Sequence, residues 1–242
     1  GNPRIDMLLS PQKSYHQTLA DDYKERYGPY FLFPSSFTVN HAMGNENVDK
    51  FLIKMGRVEK EEDLLAYHKK NEYFKKTFFE YSELVEKVAF KFKNVNVIIR
   101  PHPAEDATHW NNLSKKYKNL VVQGKGDIAS WIIGSEAVVH SSCTTGMEAF
   151  ILDTPVLSFL PYTDHEYSTQ ISNYVSKVSS NSNGILDSLN QVLQKKEFAN
   201  SLNKIKEDLT SQIELKLLNL ETKEINEKLK DEKIDITLPI RP

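Results

Sequence analysis

The chain has 242 residues, 39% of them hydrophobic and 26% charged, with a formal net charge of -2; this allows a sizeable core and exerts no global pull towards nucleic acid or an acidic membrane. Its single cysteine, Cys143, excludes an internal disulfide framework and a multi-cysteine metal site. No apolar run approaches the roughly 20 residues that a membrane-spanning helix needs, and no signal peptide is visible. Gly1 stands where an initiator methionine would, and motif-like residues follow at once. The chain is therefore expected to be a piece of a longer one.

In chain order, residues 1–6 read as a turn and Met7–Leu9 as apolar. Ser14–Tyr27 reads as a helix closed by Gly28–Pro29, and Tyr30–Phe33 as a strand. Pro34 to His41 is then a polar loop at the carboxyl end of that strand, where open α/β sheets bind ligands. Ser35, Ser36 and His41 are candidates there, against the alternative of a solvated connection. Glu59–Lys91 is a long amphipathic helix whose aromatic residues are expected to face the core, with its Lys and Glu solvated.

The strand Val95–Ile99 runs into Arg100-Pro-His102-Pro-Ala-Glu-Asp106. Two prolines bracket His102 and restrict the local backbone. A histidine so held can donate to a phosphate oxygen or act as a general acid, and Arg100 can supply a fork of donors. A structural histidine is the alternative. Thr108–Tyr117 is helical and Leu120–Val122 a short strand. Gly124–Lys125–Gly126 lacks the spacing of a dinucleotide or Walker loop. Asp127 is placed to cap the helix Ile128–Gly134.

Ala137–Val139 is the next strand. It feeds His140, Ser141, Ser142, Cys143, Thr144, Thr145 and Gly146, a small and polar turn, then the short helix Met147–Leu152. Asp153–Thr154–Pro155 ends that helix and Val156–Phe159 is a strand. A hydroxyl-rich turn opening a helix suits an anion, and an ordinary helix cap is the alternative. Cys143 is expected to be a small filler. After Phe159 a polar and aromatic loop carries His165. Residues 179–184 form a turn-rich break, Ile185–Lys195 a helix, 198–230 a charged amphipathic stretch, and 234–240 an extended end. Alternation of strands and helices implies parallel pairing with helices on both faces.

Together, RPHPAED and HSSCTTGMEAFILDTPVLSF resemble the carboxyl-terminal half of GT-B glycosyltransferases, bacterial surface carbohydrate biosynthesis proteins above all. The opening GNPRIDMLL, with Arg4, and the Asn40–His41 pair fit that family too. A similar opening begins the second Rossmann-like domain of UDP-N-acetylglucosamine 2-epimerases. The resemblance covers roughly residues 1 to 167.

The resemblance implies an α/β Rossmann-like domain over 1–180 with a mainly parallel sheet. A charged helical extension is expected over 181–242, and the amino-terminal half of the enzyme is expected to be missing. It implies a glycosyltransferase that uses a CMP- or UDP-linked sugar as donor, needs no further cofactor and no metal, and acts on a surface polysaccharide or glycolipid acceptor in the cytoplasm, with association to the inner membrane face allowed. His102, Ser141, Ser142, Thr144 and Thr145 would hold phosphate, and Glu148 would meet ribose hydroxyls. Thr145 and Glu148 also have the spacing of a capping box. Arg4, Arg100, His140, Gly146 and His165 complete the candidate set. A 2-epimerase-like isomerase, a glycerol-phosphate transferase and a non-catalytic interaction module are the alternatives; no nucleic-acid partner is expected.

Overall fold

The structure, a computed structural model, describes residues 8, 13–37, 50, 52–56, 61–164, 167–168 and 171–194. The chain divides into two compact units, Gly1–Phe198 and Ala199–Pro242, and the described residues all lie in the first.

The strands are β1 (Tyr30–Ser35), β2 (Asn96–Pro101), β3 (Leu120–Val122), β4 (Ala137–His140), β5 (Val156–Phe159) and β6 (Lys177–Ser179). They form one sheet in the order β3-β2-β1-β4-β5-β6, and every neighbouring pair is parallel. This is the doubly wound α/β Rossmann-like arrangement, in which the strand order reverses on either side of β1. The helices are α1 (Lys13–Tyr27), α2 (Glu61–Lys91), α3 (Thr108–Ser114), α4 (Ile128–Gly134), α5 (Thr145–Ile151), α6 (Ile171–Tyr174) and α7 (Ser182–Leu193).

Side chains alternate across the fully buried β1 and meet a different helix layer on each face. Tyr30 donates its hydroxyl to Trp131 O on α4 at 2.8 Å. Phe31 and Phe33 point the other way, their rings edge-on to Phe92 and to Tyr81 of α2. A Cβ on Gly134 would overlap the Tyr30 hydroxyl and approach Ala20 O, so glycine there lets α1, α4 and β1 meet. The expected cap is present: Asp127 accepts from Ser130 N at 2.8 Å and also faces His16 Nδ1 of α1 at 2.9 Å.

Pro34 decides the shape of the sheet at its centre. From its sequence Pro34 is expected to end the strand, yet β1 runs on to Ser35 and stays paired to β2 as far as Ser35↔Pro101. Pairing with β4 stops at Leu32↔Val138. In this register the next donor to Val139 O would be the N–H of residue 34, which proline lacks. Tyr81 supplies it instead: its hydroxyl donates to Val139 O at 2.7 Å and lies 3.1 Å from Pro34 O. So β1 and β4 part at their carboxyl ends around a fully buried tyrosine. Tyr81→Phe is expected to lose about 1–3 kcal/mol of stability, because it strands a buried carbonyl. Urea unfolding checks this, and an unchanged midpoint would contradict it.

Three expectations need correction. Strand β6 is not foreseen, and its last residue, Ser179, falls in the stretch read as a turn-rich break; its one apolar residue, Val178, is half exposed, as an edge strand allows. Helix α7 starts at Ser182 rather than Ile185, because Asn181 caps it by accepting from Gly184 N at 3.0 Å. It packs on β5 and β6, within the unit Gly1–Phe198. On α2, Phe78, Leu84, Val85 and Val88 are buried, but Leu65, Phe79 and Phe90 are exposed, so its apolar residues do not all face the core. Among the described residues no helix is long and apolar enough to cross a membrane.

Candidate functional site

Parallel pairing brings the loops after β1, β2 and β4 to one edge of the sheet. β2 and β4 both neighbour β1, so at about 4.8 Å between strands the His102 loop and the Ser/Thr turn leave the sheet about 10 Å apart. The parting of β1 from β4 opens between them.

On the β2 side, backbone and carboxylate bonds hold the loop rigid. His102 N donates to Ser35 O at 2.8 Å, and Glu105 N donates to His102 O at 2.8 Å. The Glu105 side chain is buried, not a helix cap. Its Oε1 accepts from Ser35 Oγ at 2.7 Å and Trp110 Nε1 at 3.1 Å, and its Oε2 from Phe37 N at 3.4 Å. Asp106, one residue before the helix cap Ala107, accepts from Thr108 N and Oγ1. These two hydrogen bonds lower its pKa. His102 itself is exposed. Its Nδ1 accepts from Ala104 N at 3.1 Å. A backbone N–H can only donate, so the neutral ring carries its proton on Nε2, which is left to donate.

On the β4 side, His140 is fully buried and its two nitrogens are engaged. Cys143 N donates to Nδ1 at 3.4 Å, so Nε2–H donates to Ser176 Oγ at 2.8 Å, and Ser176 Oγ donates to Ser172 O at 2.5 Å. Burial lowers the His140 pKa to about 3. A Cβ on Gly146 would overlap the His140 ring, so this glycine lets α5 lie over the imidazole. His140 and Gly146 build the turn from beneath.

Above them Ser142 takes the left-handed conformation, φ 53°. Ser141 and Ser142 are half-buried and Thr144 is exposed, whereas Thr145 and Glu148 are buried. Glu148 lies in the first turn of α5, the helix on which it is expected. Thr144 occupies the cap position of α5 without a side-chain bond, so no capping box forms there. Burial raises the Cys143 pKa, with Glu148 adding to the effect, which keeps the sulfur a thiol.

Arg100 is not a free phosphate fork. Its Nη1 donates to Gln123 O and Lys125 O and its Nη2 to Gly126 O at 2.9 Å, with the guanidinium over the Trp131 ring. Burial lowers its pKa somewhat, against the raising influence of Tyr23 and Asp127. It clamps the β3–α4 loop. Ser35 is likewise a tie between loops, and Ser36 is exposed. Arg4, His41 and His165 lie outside the described residues. Among the described residues no group of three or more His, Cys, Asp or Glu side chains comes together as a metal site would require.

Asn173, Ser158, Ser172 and Ser176 escape a reading of the sequence. One sign of them exists: Ser158 sits in a wholly buried strand, and a buried hydroxyl must find a partner. It donates to Asn173 Oδ1 at 2.7 Å.

No family model and no curated protein matches the sequence. Solved structures are similar to it over part of their length. The chain is similar to UDP-GlcNAc 2-epimerase from Neisseria meningitidis bound to UDP-GlcNAc, with TM-score 0.44 and 14% identity over 83% of this chain and 45% of that one. It is similar to the wall teichoic acid polymerase TagF soaked with CDPG, with TM-score 0.44 and 13% identity over 88% and 50%. It is also similar to E. coli heptosyltransferase WaaC with ADP, with TM-score 0.43 and 13% identity over 76% and 52%. The chain spans about half the length of these solved chains.

The buried His140 makes stability depend on pH. Its folded pKa of about 3 lies below the free value of about 6.5, so the unfolded chain binds the proton first as pH falls. Above pH 6.5 the residue makes no difference; below it, stability falls by about 1.4 kcal/mol per pH unit until about pH 3. Urea unfolding at pH 7 and pH 5 is expected to show a loss larger in the parent than in His140→Gln by about 2 kcal/mol. Equal losses in the two proteins would contradict the burial of a neutral ring.

Proposed function

We propose that this chain is the donor-binding half of a metal-independent glycosyltransferase, one that moves a sugar from a CMP- or UDP-linked donor to a bacterial surface polysaccharide or glycolipid acceptor. The observation that carries the reading is the polarity of the sheet edge at the centre of the fold. The protein's own donors take the acceptor nitrogen of His102, Nδ1, and one of the two lone pairs of Ser142 Oγ. What remains for a ligand includes Nε2–H and O–H, two donors on loops that flank the parting strands. Such an edge favours an anion with several acceptor oxygens, as a nucleoside phosphate is. The order of RPHPAED and HSSCTTGMEAF along the chain supports the same reading.

In this proposal His102, Ser141, Ser142, Thr144 and Thr145 hold the phosphates, and Glu148 accepts from ribose hydroxyls from its position in the first turn of α5. Displacement at the anomeric carbon leaves negative charge on the departing phosphate. The His102 Nε2–H and the turn hydroxyls offset that charge as it develops. The acceptor and the base that activates it belong to another domain of a longer chain, working in the cytoplasm at the membrane's inner face.

Calorimetric titration with CMP and UDP tests the site. His102→Ala is expected to weaken nucleotide binding about ten- to hundredfold, the loss of one hydrogen bond to a charged group, while leaving thermal unfolding unchanged. Glu148→Gln is expected to weaken a ribonucleotide more than free pyrophosphate. Affinity unchanged in both variants would overturn the assignment. With the whole enzyme, product analysis separates a new glycosidic bond from an epimerised sugar nucleotide.

A further inference from the structure

The polar contacts of Asn173 concern the same site from behind. Asn173 is buried on the short helix α6, outside every motif that the site draws on. Its side-chain amide makes three hydrogen bonds to three separate segments. Oδ1 accepts from Ser158 Oγ of β5 at 2.7 Å. Nδ2 donates to Ser168 O at 2.6 Å and to Ser142 Oγ at 3.0 Å. The orientation of the amide follows from its neighbours. Ser168 O is a carbonyl and can only accept, so the amide nitrogen must lie on that side. Both of its hydrogens are then used, one on Ser168 and one on Ser142.

The consequence falls on Ser142. Its oxygen already accepts from Asn173, so its own hydrogen has to point elsewhere. A serine hydroxyl ordinarily rotates to suit any neighbour. Here the rotation is restricted, and the residue is held besides in a left-handed backbone conformation that serine seldom adopts. The Ser168 carbonyl keeps the amide from turning over, and the Ser158 hydroxyl donates to its oxygen.

We infer that Asn173 is a positioning residue that turns the Ser142 hydroxyl hydrogen towards a ligand phosphate. This rests on the donor-binding reading given above. Asn173 does not touch the ligand; it acts by occupying one lone pair of Ser142 Oγ and so limiting where the hydroxyl hydrogen can point. A carboxylate at the same place would reverse the arrangement. It cannot donate to Ser142 Oγ, so it would take the Ser142 hydrogen and remove it from the phosphate.

A double-mutant cycle tests this, with Ser142→Ala, Asn173→Asp and the pair, by calorimetric titration of CMP and UDP into the chain. Thermal unfolding without ligand reports whether each variant is folded. Ser142→Ala and Asn173→Asp are each expected to lower affinity about tenfold or more. In the Ser142→Ala background the further effect of Asn173→Asp is expected to be smaller by about threefold or more, since the hydrogen it would capture is gone. Any repulsion between the new carboxylate and phosphate acts equally in both backgrounds and cancels from the comparison. A residue that only braces the fold would lower the unfolding temperature and give the same affinity loss in both backgrounds, which overturns the inference. Where Asn173→Asp does not fold, Asn173→Ala goes through the same cycle under the same rule. If the parent binds CMP or UDP and His102→Ala weakens it while the cycle shows no coupling, the positioning role alone fails. If the parent binds neither nucleotide, the donor-binding reading fails and the inference falls with it.

Discussion

A missing N–H at Pro34 shapes the centre of this fold. A parallel ladder between β1 and β4 would need that donor to continue past Leu32↔Val138, and proline cannot provide it. The strands separate, and two backbone carbonyls lose their partner. Tyr81, reaching in from α2, restores one bond and fills the space with its ring. The separation falls where the strand order reverses, the place at which an open α/β sheet leaves room for a ligand. A local rule about one imino acid thus coincides with a global rule about topology.

The loops on either side are then held by hydrogen bonds whose directions are set by groups that cannot change role. Ala104 N–H makes Nδ1 of His102 an acceptor. Cys143 N–H does the same for His140, and the proton order runs on through Ser176 to the Ser172 carbonyl. The Ser168 carbonyl turns the Asn173 amide. Backbone groups at the ends of these chains leave the ambiguous side chains between them with one arrangement each. The two histidines end in opposite states. His140 has both nitrogens engaged inside the protein, while His102 keeps one outward donor, although both sit at strand ends next to small or rigid residues.

That contrast explains what the sequence could and could not convey. Apolar runs such as Ile98–Ile99 and Val138–Val139 are legible because a doubly covered parallel strand needs them on both faces. The position of the site follows from topology alone. The fate of individual polar residues does not, because it depends on partners far along the chain. Arg100 looks like a phosphate ligand until carbonyls of residues 123, 125 and 126 claim it. The need for glycine at 146 is seen only with the His140 ring beneath it. Strand β6 is hidden by its half-exposed edge, and Asn173 by a stretch with no motif.

A crystal structure of the chain with CMP or UDP tests the central claim most directly. The account expects a phosphate oxygen within hydrogen-bond distance of both His102 Nε2 and Ser142 Oγ, across the parted ends of β1 and β4, with the Asn173 amide still on Ser142. A nucleotide bound at another edge of the sheet, or one whose phosphates avoid both side chains, would contradict it.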